Sequence, residues 1–157
     1  MKKALILALV LMGAAASVHA APRYRAAVGG IFGIDVMGSL PSSAMLSFRL
    51  PKFPPVFGLG LTTNDSNPAF ALMADWWLYQ TNLVGFINLY IGPGLYTAFN
   101  GDYFTFGGRV PIGLNAYPLD PLEIFLEIAP SLTIFGSSGI EIPNFGLQAG
   151  FGFRFWF

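Results

Sequence analysis

The stretch Phe145–Phe157, FGLQAGFGFRFWF, decides the fold of this chain. Its odd positions are Phe145, Leu147, Ala149, Phe151, Phe153, Phe155 and Phe157. Its even positions are Gly146, Gln148, Gly150, Gly152, Arg154 and Trp156. A period of two places successive side chains on opposite faces of an extended strand. One face is then greasy, and the other is small or polar apart from one Trp. A face with five phenylalanines needs a very apolar environment.

The same alternation runs back through the chain. Leu122, Ile124, Leu126, Ile128, Leu132 and Ile134 oppose Glu123, Phe125, Glu127, Ala129, Ser131 and Thr133. Phe104, Phe106, Val110, Ile112 and Leu114 oppose Tyr103, Thr105, Gly107, Arg109, Gly113 and Asn115. Residues 86–99 set Ile87, Leu89, Ile91 and Leu95 against Asn88, Tyr90, Gly92 and Tyr96. Residues 69–79, 56–63, 43–50 and 24–35 alternate likewise, with Asp75 and Trp77, Gly58 and Gly60, Ser47 and Arg49, and Arg25 and Asp35 on their less apolar faces. The count is eight strands. Turn-rich segments separate them at Gly38–Pro41, Pro51–Pro55, Asn64–Pro68, Tyr79–Asn82, Asn100–Asp102, Tyr117–Pro121 and Gly136–Asn144. Pro93, Pro111 and Pro130 fall inside strands, where a missing N–H breaks the ladder. Bulges are expected there, with local shifts of parity.

Composition says what surrounds the apolar face. Of the 157 residues 54% are hydrophobic and 10% charged, with eight Lys+Arg against eight Asp+Glu. A soluble domain carries about 25% charge. There is no basic excess for nucleic acid, and no nucleic-acid partner is expected. No segment past residue 20 is apolar enough for a membrane helix. The pattern predicts an all-β fold, an eight-stranded antiparallel up-and-down transmembrane barrel with lipid as the solvent of its outer face.

The first twenty residues read as a signal peptide. Lys2 and Lys3 precede the apolar run Ala4–Ala16, and Val18-His19-Ala20 predicts cleavage after Ala20. The barrel domain is then residues 21–157. The chain has no Cys, and its one His, His19, leaves with the leader. Ser-His-Asp and Cys-His catalysis and His/Cys metal sites are thereby removed. No enzyme activity, metal or cofactor is expected.

The charges on the inward face are Arg25, Asp35, Arg49, Asp75, Arg109, Glu123, Glu127 and Arg154, four of each sign. An eight-stranded barrel is just wide enough for side chains to fill, and charges inside it must pair. A self-neutralising, salt-bridged interior is expected, with inward glycines making room for arginines and aromatics. Glu123 and Glu127 stand about 13 Å apart along a strand, too far for the roughly 5–9.5 Å of paired-carboxylate hydrolysis. They read instead as partners of Arg109 and Arg154. Trp76, Trp77, Tyr79 and Trp156 read as interface girdles. The polar run Asn64–Asn67 reads as a turn rather than a cation site.

Alternating aromatics ending in Phe153, Phe155 and Phe157 resemble the assembly signal of bacterial outer-membrane barrels. The segments Gly108–Asn115 and Asp120–Pro130 resemble small outer-membrane barrel proteins known mostly from spirochaetes, OmpA/OmpX-like in shape. The resemblance implies a bacterial outer-membrane location, lipid and the barrel-assembly machinery as partners, and an extracellular or host ligand of unknown identity. The predicted external loops near 37–42, 64–68, 100–102 and 136–143 are short, which departs from adhesive barrels. The expected function is a non-enzymatic structural or surface-interaction barrel, with both termini in the periplasm. Two other readings stay open, a porin-like small-solute pore and an exported lipocalin-like soluble barrel that binds an apolar ligand. A lipid A-modifying enzyme is disfavoured because the mature chain has no His.

Overall fold

A computed structural model describes residues 26–37, 43–62, 69–101, 104–136 and 139–157. The predicted signal peptide and Arg25 lie outside the described residues, as do the side chain of Asp35 and the Asn64–Asn67 run. The described residues form eleven strands: β1 (Ala27–Asp35), β2 (Ala44–Arg49), β3 (Val56–Thr62), β4 (Ala69–Asp75), β5 (Tyr79–Val84), β6 (Ile87–Ile91), β7 (Gly94–Phe99), β8 (Phe104–Arg109), β9 (Ile112–Leu119), β10 (Leu122–Gly136) and β11 (Gly139–Trp156).

These strands make eight staves. β4 with β5, β6 with β7, and β8 with β9 are each one stave broken in the middle. β7 and β6 pair with β8 and β9 in turn, and β8 and β9 pair with successive halves of β10. The remaining pairs are β11–β1, β1–β2, β2–β3, β3–β4, β4–β7, β5–β6 and β10–β11, all antiparallel, so the ring closes. Closure removes the sheet edges that an apolar strand would otherwise expose.

The register sets the barrel's stagger. A path across paired residues runs Trp156, Ala27, Arg49, Val56, Asp75, Gly94, Arg109, Ser131 and back to β11 at Gly146, ten residues from its start. Such a shear in an eight-stave barrel tilts the strands by roughly 40–45°. It also leaves the β5–β6 hairpin reaching past the β2–β3 turn, so β5 pairs only with β6 among the described strands.

The three prolines behave differently from the bulges expected of them. They lie on adjacent staves and form one seam. Trp76 N–H donates to the Pro93 carbonyl (2.9 Å), Gly92 N–H to Pro111 (3.3 Å) and Val110 N–H to Pro130 (2.9 Å). Each proline keeps its acceptor while its absent donor falls where a stave is already broken. Register is continuous across two of these joints. Gly94 and Ile91 face Arg109 and Ile112, three residues apart on both sides, and Arg109 and Ile112 face Ser131 and Ile128. Parity therefore passes through Pro111 and Pro130 unchanged. Irregularities sit instead at Trp76–Leu78, where four steps from Asp75 to Tyr79 oppose three from Gly94 to Ile91, and at register shifts between Asn82 and Val84, Leu122 and Ile124, and Thr133 and Phe135.

Two predicted turns are also corrected. Tyr79–Asn82 belongs to strand β5, and the chain reverses at Gly85, whose φ of 55° suits glycine. Asn82 carries a turn signal because its side-chain amide clamps that reversal, donating to Gly85 O at 2.9 Å and Asn88 Oδ1 at 3.1 Å. The predicted loop Gly136–Asn144 is mostly strand, since Gly136 already pairs with Gly139.

Inside, aromatics lie over glycines paired with them on the next stave. Tyr96 faces Gly107, Tyr90 faces Gly113 and Phe125 faces Gly152. A Cβ on Gly107 would stand 2.6 Å from the Tyr96 ring, and one on Gly113 or Gly152 would also collide with the ring of its partner. The inward glycines are thus the seats that let an eight-stave lumen hold large rings.

Candidate functional site

The inward face carries the chemistry. Arg109, Asp75, Glu123, Glu127, Arg154 and Arg49 are all buried, while Phe153, Phe155 and Phe157 on the same β11 region are outward and exposed. The described inward charges balance, three arginines against three carboxylates.

They sort into two layers. In the first, Arg109 on β8 reaches across the lumen. Its Nη2 pairs with Glu127 Oε1 on β10. Its Nε stands 3.2 Å from Asp75 Oδ1 on β4, an ion contact without hydrogen-bond alignment. Its Nη1 donates to Gln148 Oε1 on β11 at 2.7 Å and lies 2.9 Å from the Met73 sulfur. Tyr90 donates its hydroxyl to Glu127 Oε2 at 2.8 Å. One guanidinium therefore ties together staves from β4 to β11. A cavity of about 10 Å³ remains beside it, lined by Ile31, Met45, Met73 and Gln148, which is room for about one water.

In the second layer Glu123 on β10 is the hub. Its Oε1 accepts from Asn115 Nδ2 at 2.7 Å and from Arg154 Nη1 at 3.3 Å, and its Oε2 accepts from Trp156 Nε1 at 2.8 Å. Arg154 Nε donates to Ser47 Oγ at 2.7 Å. The Arg154 guanidinium lies 3.8 Å from the Phe125 ring centroid and 5.2 Å from that of Trp77. Trp77 in turn stacks on Tyr90 at 4.4 Å, which joins the layers. Arg49 lies over the Trp156 ring at 5.7 Å. Nearer the other end of the lumen, the Tyr96 and Thr133 hydroxyls share a hydrogen bond at 2.7 Å.

The girdle assignment is corrected for two tryptophans. Trp77 and Trp156 are 7% and 3% exposed and sit inside the barrel. Trp156 is on the inward parity of β11 and Trp77 two residues past inward Asp75 in the β4–β5 joint, and Glu123 and Arg154 hold them there. Trp76 is half-buried and Tyr79 is exposed on the outside.

Tyr90, Gln148, Asn115 and Ser47 belong to the network although they carry no formal charge. Their inward parity was the signal available. Buried polar groups follow the same pairing rule as charges, at smaller cost. Among the described residues no group of three or more His, Asp or Glu could hold a metal ion. Both oxygens of Glu127 and both oxygens of Glu123 are engaged by neighbouring staves, an arrangement that ties those staves together. Comparison with known proteins found no matching family model, no matching curated protein and no matching solved structure.

Proposed function

We propose that this chain is a non-enzymatic integral outer-membrane β-barrel whose lumen is closed by its own side chains, with a structural or surface-interaction role. The observation that carries the reading is the barrel's radial inversion. Arg, Glu, Asp, Gln and Asn are buried inside, and large hydrophobics cover the outside. Paired outward rows such as Leu61–Phe70–Phe99–Phe104 and Leu114–Leu126–Phe151–Phe32 run across four staves each. In water such a surface would be an aggregation hazard, whereas in hydrocarbon it is solvated. A soluble ligand-binding barrel would carry the opposite arrangement.

Fractionation tests the location. The mature protein should stay with outer membranes through high-salt and urea washes and leave only with detergent. Recovery in the soluble periplasmic fraction would end the reading. In planar bilayers the purified barrel should show no steady ohmic conductance, because Arg109 spans the lumen. Robust channels would favour a small-solute pore instead. Ala26, Phe157 and the turns at Leu50–Pro55, Gly85–Phe86 and Asp120–Pro121 share one end, which we assign to the periplasm, with Phe153, Phe155 and Phe157 as the assembly signal. Labelling at Asp120 in intact cells would contradict that orientation, and Phe157→Ala should lower the fraction inserted severalfold.

A further inference from the structure

The layer around Arg109 sets one positive group against two negative ones, and all three are buried. Arg109 is 4%, Glu127 5% and Asp75 6% exposed. The two carboxylates are not supplied alike. Glu127 receives Arg109 Nη2 on one oxygen and the Tyr90 hydroxyl on the other. Asp75 Oδ1 is buried without a hydrogen bond, and so is the Arg109 Nε that stands 3.2 Å from it. Nε and Nη2 are the donors on one edge of the guanidinium fork, so Asp75 and Glu127 each bring an oxygen to that edge.

Two ionised carboxylates that share one cation away from water repel each other, and the surplus charge is costly to bury. The layer therefore calls for one more positive charge. The cavity beside Arg109 is about 10 Å³, room for about one water and not for a hydrated ion. Among the described residues no group of three or more His, Asp or Glu could hold a metal ion. No side chain nearby supplies the charge either. Asp75 pairs in register with Val56 on β3 and Gly94 on β7, neither of them titratable. The charged groups that reach it are Arg109 on β8, Glu127 on β10 and, most weakly, Arg154 on β11, which is committed to Glu123. Neutral Tyr90 of β6 and Gln148 of β11 complete the shell around Glu127 and Arg109. A proton is the cation small enough to enter.

We infer that the Asp75–Glu127 pair binds one proton at neutral pH, which makes the Arg109 layer a neutral, buried proton site. The proton rests on Asp75, whose Oδ1 has no aligned donor. Glu127 stays ionised between Arg109 and Tyr90. The proton removes the repulsion between the two oxygens at the guanidinium edge and turns Asp75 into a donor facing Glu127. The inference rests on the interior geometry and does not require the membrane location. Its failure would leave the fractionation and conductance tests untouched.

The chain from residue 21 to 157, folded in a neutral detergent, provides the test. It has no His and no Cys, so no unperturbed side chain titrates between about pH 5 and 7. In the unfolded chain both carboxylates are ionised over that range. Folding then takes up one proton, and the folding equilibrium constant should fall about tenfold for each unit that the pH rises. Asp75→Asn should flatten that profile. Infrared spectra at neutral pH should show the carbonyl stretch of a protonated carboxyl, shifted in D₂O. The band should be lost in Asp75→Asn and equally in Glu127→Gln, because a single carboxylate left with Arg109 stays ionised. Glu127→Gln decides the matter if Asp75→Asn does not refold. A spectrum without that band, a band undiminished in the variants, or a pH slope that Asp75→Asn leaves unchanged would overturn the site.

Discussion

The two interior layers solve the same problem with opposite charge arithmetic. Around Arg109 one cation serves two carboxylates, Asp75 and Glu127. Around Glu123 one carboxylate serves two cations, Arg154 directly and Arg49 at greater remove. The first layer is formally negative and the second formally positive. Among the described residues they cancel only when the two layers are taken together. The comparison teaches that a balanced composition does not mean balanced pairs. In the first layer the hub is a fork that can reach four partners at once, and it sits deep. In the second the hub is a carboxylate with two oxygens, and Arg49, at the end of β2, lies over the Trp156 ring.

Substitutions that remove each hub test this contrast. Arg109→Met should have the largest effect. It leaves Asp75 and Glu127 buried with no cation between them, at a cost of about 3–5 kcal/mol in denaturant unfolding of the refolded barrel. Adding Asp75→Asn and Glu127→Gln to the same chain should restore most of that loss, because no buried charge is then stranded. If the triple variant is as unstable as the single one, packing rather than charge holds the layer.

Glu123→Gln should cost less, roughly 1.5–3 kcal/mol, since the amide oxygen can still accept one of the three bonds and Arg49 is close to solvent. A loss equal to that of Arg109→Met would erase the difference between the layers. Gly113→Ala tests the seat beneath Tyr90 in the first layer. The added methyl meets the ring, and the expected penalty is about 1–3 kcal/mol. It should shrink when Tyr90→Ala is combined with it, which a double-mutant cycle would read. Tyr90→Phe is the mildest change. It removes one hydrogen bond to Glu127 and should cost roughly 1–2 kcal/mol.

Much of this architecture could be read from parity. Glu123, Glu127, Arg154 and Arg109 stand on the inward positions of strands whose other positions are Ile, Leu or Phe, and the structure buries all four. The alternation survives even Pro130, which occupies an outward, exposed position with its carbonyl used by Val110. The turn at Gly85 was less legible. Asn82 looks like a turn residue in isolation, but its amide reaches forward to Gly85 and Asn88 from within a strand. The same limit hid Trp77 and Trp156. A tryptophan suits a membrane interface by type, and only an arginine or glutamate brought over from another stave draws it inside.

By itself, then, the sequence determined which side chains face in and which face out, how many staves there are, and that the inward face is polar. Those are local properties, because a strand's period of two is set by the backbone of neighbouring residues. Only the tertiary structure decided who meets whom across the lumen. The ten-residue stagger raises each stave relative to the last, so that Arg109 arrives beside Gln148 and Arg154 beside Ser47, partners 39 and 107 residues apart. It also gathered three prolines into one seam and laid Arg49 over the Trp156 ring. No period along the chain encodes those meetings, because they depend on closing the sheet.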